Sequence, residues 1–286
     1  LPPLVIRGGT LHGGTRIETP VASAQVKSSV LLAGLAADGP ITVVEPAKSR
    51  DHTERMLAAM GARVAHEDRA VTIAPPDGDL QATDVRVPGD ISTAAAWIVL
   101  GCIHPDAELT LTGVGVNPTR TGLLDVLQAM GADLELVDER TVGGEPVADI
   151  VVRSSALRGV EVGGDVVPRA IDELPLVALA GALASGETVI RDAAELRAKE
   201  SDRVATTGAL LRALGATVEE RPDGIAVQGG ARLAGATVTS AGDHRLAMLG
   251  AVAGLLAEGE TSIDGAGDVS VSYPAFWEDL DRLRQA

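Results

Sequence analysis

Residues 174–184, LPLVALAGALA, decide the fold because not one of them carries a charged or hydrogen-bonding side chain. A helix with a single apolar stripe can lie on a surface, whereas a helix that is apolar all round has to be buried on every side. A glycine, Gly186, and a short strand pattern, ETVI, follow the run. We therefore expect an interior helix that leads directly into a strand of a surrounding sheet.

The same arrangement occurs four times along the chain. A small-residue helix, then a glycine and a short strand, are predicted in residues 28–45, 94–113, 175–193 and 247–266. Three of these segments lead to a second helix with a similar ending, in residues 56–64, 125–137 and 208–220. Self-similarity at a period of about 65 to 85 residues indicates a repeated supersecondary unit. We expect the units to share a helical interior and to place their sheets outside.

Between the helical segments, alternating apolar residues flank glycine or proline, which is typical of β-hairpins. These stretches are residues 3–18, 70–87, 149–162 and 224–240. The sequence therefore predicts a unit of hairpin, helix, strand and helix. A break near Val87–Pro88–Gly89 separates one partial block from three units. Because the chain begins in a hairpin pattern and ends in a second helix, we expect it to belong to a longer series.

Composition limits the function classes. The net charge of −16 over 286 residues argues against nucleic acid and anionic membranes as partners. The single cysteine, Cys102, excludes an internal disulfide, which fits a reducing cytoplasm. Neither metal-ligand spacing nor a glycine-rich nucleotide loop occurs in the sequence, so we expect no metal and no cofactor.

Short polar segments precede the interior helices, where free N–H groups favour anions. They are Ser23–Ala24–Gln25 and residues 89–92, 169–173 and 242–245. Simple N-capping is the alternative, and it is favoured for Asp90 and Asp243. Asp172 differs because Glu173 follows it directly, and two carboxylates are more than a cap requires.

The stretch RAKESDRVAT, residues 197–206, holds one of the chain's three lysines, Lys199. If the stretch is helical, Lys199 and Arg203 lie four residues apart on one face, where like charges repel. Pairing of Lys199 with Asp202, and of Glu200 with Arg203, on a solvated face explains the pattern equally well. An anion held between the two cations is the other interpretation, and local spacing leaves both open.

Cations and carboxylates thus gather where the predicted elements join. The cations are Lys27, Arg50, Lys199, Arg203 and Arg245, and the carboxylates are Asp172 and Glu200. Such a set suits proton transfer on a small molecule with several negative charges.

Eight motifs, in order along the chain, resemble the family of 5-enolpyruvylshikimate-3-phosphate synthase (3-phosphoshikimate 1-carboxyvinyltransferase), and within it the glyphosate-tolerant bacterial branch. They are SAQVKS (23–28), SRDHTERML (49–57), VPGDIS (87–92), NPTRTGLLDVLQAMGA (117–132), IDELP (171–175), LRAKESDR (196–203), AGDHRLAM (241–248) and SVSYPAFW (270–277).

The resemblance implies an α/β enolpyruvyl-transferase fold, an inside-out α/β barrel of βαβαββ repeats with about four of the family's six repeats present. Residues 1–87 would then be the remaining part of the first domain, and residues 88–286 the second domain with three repeats. The family's N-terminal third is expected to be absent from this chain, and the full-length protein is expected to be monomeric.

The resemblance also implies roles for individual residues. Residues Ser23, Ala24, Gln25, Arg50, Asp172 and Lys199 would bind shikimate 3-phosphate. Residues Gln25, Arg203 and Arg245 would bind phosphoenolpyruvate. Asp172, Glu200 and Lys199 would form the catalytic set, with Asp172 as base toward the 5-hydroxyl and Glu200 as acid toward the enol methylene.

Two positions depart from the family pattern. Ala24 replaces a second serine of some members, as in the tolerant branch, and Val271 stands where other members have a lysine. A sister enzyme that acts on a UDP-amino sugar uses a cysteine as acid, but Cys102 lies in an apolar helix pattern. A non-catalytic binding module is the remaining alternative, since little or no turnover is expected from the chain alone.

Overall fold

The computed structural model describes Val5 and residues 7–285, and they divide into two compact units. The first takes in the described residues up to Val87 together with Thr141–Pro146, and the second takes in residues 88–140 and those from Val147 onward. Each unit is described by itself. No described helix is both long enough and apolar enough to cross a membrane.

The first unit is a four-stranded sheet with two helices. Its elements are β1 (Arg16–Glu18), α1 (Ala24–Gly34), β2 (Ile41–Val44), α2 (His52–Ala59), β3 (Arg63–Glu67) and β4 (Ala70–Ala74). The strand order is β1-β2-β4-β3, with β1 and β2 parallel and the other pairs antiparallel. Leu31, Val43 and Ile73 are fully buried between the sheet and α1.

In its described residues, the second unit has sheets of four, three and two strands around interior helices. Its helices are α3 (Ile91–Ile103), α4 (Gly122–Met130), α5 (Val167–Ala170), α6 (Leu174–Leu183), α7 (Arg203–Ala213), α8 (His244–Gly254) and α9 (Phe276–Leu283). Its strands are β5 (Glu108–Gly115), β6 (Asp133–Val142), β7 (Glu145–Arg153), β8 (Glu161–Val162), β9 (Glu187–Ile190), β10 (Thr217–Arg221), β11 (Gly224–Gln228), β12 (Thr237–Thr239) and β13 (Ser262–Asp264).

The repeat is most complete between β8 and β11. In chain order it reads β8, the short α5 with α6, β9, α7, β10, β11, and the strands associate in the order β10-β11-β9-β8. The first unit has the same order and the same pairings from β1 to β4. The predicted βαβαββ repeat is therefore confirmed.

The predicted hairpins are wrong in their pairing. Within 149–162, β8 pairs in parallel with β9 rather than with β7, and β12 in 224–240 pairs in parallel with β13. Likewise β4, which lies in residues 70–87, pairs with β2 and β3. Strand β1, which lies in residues 3–18, pairs with β2. Residues 3, 4 and 6 of that stretch lie outside the described part. Alternation identifies a strand but not its partner, and a parallel pair needs a crossover, which the intervening helix supplies.

Three of the four small-residue helices are interior, as expected. Almost every residue of α3, α6 and α8 is buried, and at α6 a Cβ on Gly181 would lie 2.7 Å from that of Thr188. A glycine is therefore needed where α6 meets β9. The expectation is wrong for α1, in which only Lys27, Leu31 and Gly34 are buried. Lack of charge permits burial, but the elements packed around a helix decide it.

Candidate functional site

Asp172 lies at the centre of a charged cluster in the second unit. It occupies the turn between α5 and α6, and its Oδ1 is 3.0 Å from Arg203 Nη1 and 3.8 Å from Lys199 Nζ. Its Oδ2 is 3.8 Å from Arg245 Nη2. Three cations from two later segments thus converge on one carboxylate, which is not a helix cap.

Arg203 is the most buried of these cations, with 1% of its side chain exposed. It is the first residue of α7, whose N-cap is Asp202, while Lys199 is extended and precedes the helix. The stretch is not helical at Lys199, so the two cations do not share a helix face. Asp202, a residue type preferred at N-caps, is the local signal that the helix begins at Arg203.

Carboxylates surround the Arg203 guanidinium. Nε donates to Asp243 Oδ2 at 2.8 Å, and Nη2 donates to Glu200 Oε2 at 2.5 Å. Burial by itself would lower the pKa of Arg203, but the hydrogen bond and charge of Asp243, with Glu200 and Asp172, raise it above its ordinary value. The predicted pairing of Glu200 with Arg203 is present. Lys199 Nζ lies 2.5 Å from Glu195 Oε1, so Lys199 pairs with Glu195 rather than with Asp202.

Asp243, for which the sequence favours simple capping, belongs to the same cluster. It does cap α8, accepting from the Arg245 amide, but its side chain is also fully buried against Arg203. Burial would raise the pKa of Asp243, and the hydrogen bond and charge of Arg203 outweigh this and lower it. Forty positions separate the two residues, so only the fold pairs them.

A second buried carboxylate, Glu173, was identified only as a neighbour of Asp172. It accepts a hydrogen bond from Ser92, which in turn accepts from Arg120 Nη2 at 2.6 Å. Burial raises the pKa of Glu173, and the charge of Arg245, whose Nη1 is 3.9 Å away, opposes the shift. The polar start of α3, where the sequence favoured simple capping at Asp90, and the turn that contains Arg120 thus join the cluster.

The two candidate proton-transfer groups, Asp172 and Glu200, are more exposed to solvent than Asp243, which pairs with Arg203. The Glu200 side chain is 52% exposed and that of Asp172 is 14% exposed, whereas Asp243 is fully buried. Cations near two accessible carboxylates can bind an anionic molecule while the carboxylates accept and supply protons.

In the first unit, Ser23, Ala24 and Gln25 lie at the start of α1. Ser23 caps the helix by accepting from the Val26 amide at 3.4 Å and donates to Gln25 Oε1 at 3.3 Å. Arg50 is half-buried in the segment between β2 and α2. The structure thus places four of the predicted residues in one unit and Asp172, Lys199, Glu200, Arg203 and Arg245 together in the other.

Cys102 does not fit a chemical role. It lies in the interior of α3, 1% exposed, and burial raises the pKa of its thiol to about 12. Among the described residues, no group of three or more His, Cys, Asp or Glu side chains could hold a metal ion.

The sequence profile of EPSP synthase (3-phosphoshikimate 1-carboxyvinyltransferase) matches residues 1–280 of the chain. The chain belongs to the EPSP synthase family. Relatives named 3-phosphoshikimate 1-carboxyvinyltransferase include one from Roseiflexus sp. (strain RS-1), 56% identical over 285 residues, and one from Herpetosiphon aurantiacus, 55% identical over 286. These matches cover 99% of this chain and 66% of each relative, so the chain spans slightly less than two thirds of their length.

Solved structures agree with this family membership. The EPSP synthase from Acinetobacter baumannii superposes with a TM-score of 0.88 and 44% identity, over 94% of this chain and 62% of that one. The enolpyruvyl transferase NikO from Streptomyces tendae is 22% identical with a TM-score of 0.77, over 96% of this chain and 64% of that one. The EPSP synthase structure and NikO both have the fold of this chain, which confirms the predicted enolpyruvyl-transferase fold.

Proposed function

We propose that this chain carries the catalytic cluster of an enzyme that transfers the enolpyruvyl group of phosphoenolpyruvate to the 5-hydroxyl of shikimate 3-phosphate, with release of phosphate. The observation that carries the proposal is the convergence of Lys199, Arg203 and Arg245 on Asp172. The names of the relatives support the same reaction.

The reaction needs one base and one acid. In the addition step, the 5-hydroxyl oxygen bonds to C2 of phosphoenolpyruvate, its proton passes to Asp172, and C3 gains a proton from Glu200. In the elimination step, C3 loses a proton to Glu200, and the bond from C2 to the phosphate oxygen breaks. The departing phosphate takes up the proton held by Asp172, so both carboxyl groups return to their starting states. Glu200 suits this role because its carboxylate is 52% exposed, more than the 14% of Asp172.

Cations supply the electrostatic part of the mechanism. Arg245 and Arg203 would bind the carboxylate and phosphate of phosphoenolpyruvate, since guanidinium groups match such anions in two-point contacts. Lys199, 21% exposed, would bind shikimate 3-phosphate together with Asp172. Because Glu200 pairs with Arg203 at 2.5 Å, we expect Glu200 to leave that pairing when the substrate anion arrives.

In the first unit, the proposal assigns Ser23, Ala24, Gln25 and Arg50 to shikimate 3-phosphate, and Gln25 also to phosphoenolpyruvate. Arg50 supplies the cation and the start of α1 supplies hydrogen-bond donors for a phosphate group. Ala24 offers only its backbone amide where some family members have a second hydroxyl.

A chimera tests the function. This chain replaces the matching 285-residue stretch of the Roseiflexus relative, and phosphate release is measured with both substrates. We expect turnover in the chimera and a loss of at least ~100-fold in its Asp172→Asn variant, the magnitude of a missing general base. A folded chimera without turnover, or an Asp172→Asn variant as active as its parent, would refute the proposal.

The alternative sister reaction on a UDP-amino sugar has less support. It requires a cysteine acid, and Cys102 is buried with a raised pKa. Phosphate release from phosphoenolpyruvate and UDP-N-acetylglucosamine in the same chimera is therefore expected to be absent.

A further inference from the structure

Lys27 is a buried charge that the proposed mechanism does not use. Its side chain is 2% exposed in α1, and its Nζ lies 3.0 Å from Glu45 Oε2 and 2.8 Å from Glu54 Oε1. These two carboxylates are themselves 3% and 1% exposed. Three ionisable groups are thus packed together inside the first unit.

The lysine also binds the backbone at a particular place. Nζ donates to the carbonyl oxygen of Ser49 at 3.3 Å, directly before Arg50. The three acceptors of its ammonium therefore come from the end of β2, from α2 and from the segment between them. Lys27 is one helical turn beyond Ser23, on the helix that begins with the proposed substrate-binding residues.

The fold does not require a charge at this position. Counted from the N-cap, the fourth residue is Lys27 in α1, Ala94 in α3, Val177 in α6 and Ala247 in α8. The three apolar residues are all buried, at 7%, 0% and 0% exposure. The same position of the repeat is thus filled well by a small apolar side chain.

Stability does not explain the lysine either. Desolvation of buried ions offsets most of their attraction, and apolar replacements of a whole buried cluster are often neutral or stabilising. Polar atoms also remain without a hydrogen bond among the described residues, including Glu45 Oε1 and Ser49 Oγ. What the cluster does provide is a fixed link between α1 and the segment that carries Arg50.

We propose that Lys27 is a positioning residue, which fixes Arg50 relative to the start of α1 so that the two can bind one phosphate group. The proposal rests on the proposed function, because it takes the ligand to be shikimate 3-phosphate. Lys27 itself does not touch the substrate. Ser28 and Thr53, whose hydroxyl oxygens are 2.7 Å apart, join α1 to α2 beside the same segment.

Removing the lysine alone would leave two buried carboxylates unpaired and risks unfolding. The informative variant is therefore Lys27→Met with Glu45→Gln and Glu54→Gln, which keeps side-chain size and removes every buried charge of the cluster. Thr42→Val is the matched control, because it breaks a 2.8 Å hydroxyl contact with Thr72 in the same sheet, away from Arg50.

Two measurements decide the proposal. Calorimetric titration of the chain with shikimate 3-phosphate and with shikimate separates the phosphate contribution, and amide hydrogen exchange reports on residues 49–51 without ligand. In the triple variant we expect about tenfold weaker shikimate 3-phosphate binding, as for a lost charged hydrogen bond, and unchanged shikimate binding. In the triple variant, hydrogen exchange at residues 49–51 is expected to be faster. The control Thr42→Val is expected to change neither the affinity for shikimate 3-phosphate nor this exchange rate.

An unchanged affinity for shikimate 3-phosphate, or equal weakening for shikimate, would overturn the positioning role. Failure of both the unaltered chain and the chimera to bind shikimate 3-phosphate would overturn the proposed function instead. In that case the exchange measurement still decides whether Lys27 fixes the segment, since unchanged exchange at residues 49–51 contradicts it.

Discussion

Arg203 Nε donates to Asp243 Oδ2 at 2.8 Å, and the two side chains are 1% and 0% exposed. This pair joins the start of α7 to the start of α8 beneath the candidate site. The other carboxylates that contact Arg203, those of Asp172 and Glu200, are more exposed. The position of Arg203 therefore depends mainly on Asp243. An isolated charge at this depth would be costly, because each ion has lost its hydration.

Asp243→Asn is therefore expected to be strongly destabilising. The amide keeps the cap of α8 but leaves the Arg203 guanidinium without its buried counter-charge, at a cost of about 3 kcal/mol or more. Urea unfolding measures the free energy. Asp192→Asn is the control, because Asp192 pairs with Arg191 at 47% exposure and its loss should cost less than about 1 kcal/mol. Equal effects of the two variants would contradict the role given to Asp243.

Glu173 predicts a pH dependence of stability. Burial raises its pKa in the folded chain above the ordinary 4.5, so the folded state holds this proton more tightly than the unfolded state. Its contribution to stability is therefore present at low pH and is lost as the pH rises from about 4.5 through the raised pKa.

The variant Glu173→Gln should remove that loss. Between about pH 5 and pH 8, its free energy of unfolding should fall less with pH than that of the unaltered chain. Glu161→Gln is the control because Glu161 is 63% exposed. If the curves for Glu173→Gln and the unaltered chain run parallel, Glu173 does not titrate as inferred.

Arg245→Ala separates substrate binding from stability better than a change at Arg203. The Arg245 contacts with Asp172 and Glu173 are long, 3.8 and 3.9 Å, whereas Arg203→Ala would strand the buried Asp243. We expect Arg245→Ala to weaken phosphoenolpyruvate at least ~10-fold, as for a lost charge-assisted contact, with little change for shikimate 3-phosphate.

Calorimetry with each substrate, and the thermal midpoint of each variant, measure this difference. Arg203→Ala should also weaken phosphoenolpyruvate most, but with a clear loss of stability. Equal weakening of both substrates by Arg245→Ala would count against its assignment to phosphoenolpyruvate.

Much of the fold follows from small-residue, apolar helix patterns and repeated strand patterns. The burial of α3, α6 and α8 was predicted in this way, while the partial exposure of α1 was not, because sequence pattern does not reveal what surrounds a helix. Strand partners were also missed, since β8 and β12 pair across an intervening helix.

The candidate site was predictable only in part. The sequence predicts that charged residues gather where elements join, and five of them do come together: Asp172, Lys199, Glu200, Arg203 and Arg245. Asp243 and Glu173 were misjudged because capping explains an aspartate locally, and burial arises only when distant helices pack. The links of Ser92 with Glu173, and of Lys27 with Ser49, join residues far apart in sequence and carry no local signal.

Val271→Lys introduces the lysine that the family resemblance predicts at this position. Val271 is 80% exposed at the end of a 3-10 helix, Ala266–Val271, so a longer side chain fits at a cost within about 0.5 kcal/mol. We expect tighter phosphoenolpyruvate binding, with Val271→Leu as the neutral control. If Val271→Lys leaves the affinity for phosphoenolpyruvate unchanged, the family lysine has no counterpart site in this chain.

The acid role of Glu200 is tested most directly by turnover of the chimera in deuterated water. A carboxyl acid carries a solvent deuteron to C3, and elimination then removes one of three hydrogens, so mass spectrometry should find deuterium in the methylene of the product. In Glu200→Gln we expect turnover to fall at least ~100-fold, while shikimate 3-phosphate still binds. A product free of deuterium, or undiminished turnover in Glu200→Gln, would contradict the central claim that this cluster performs addition and elimination.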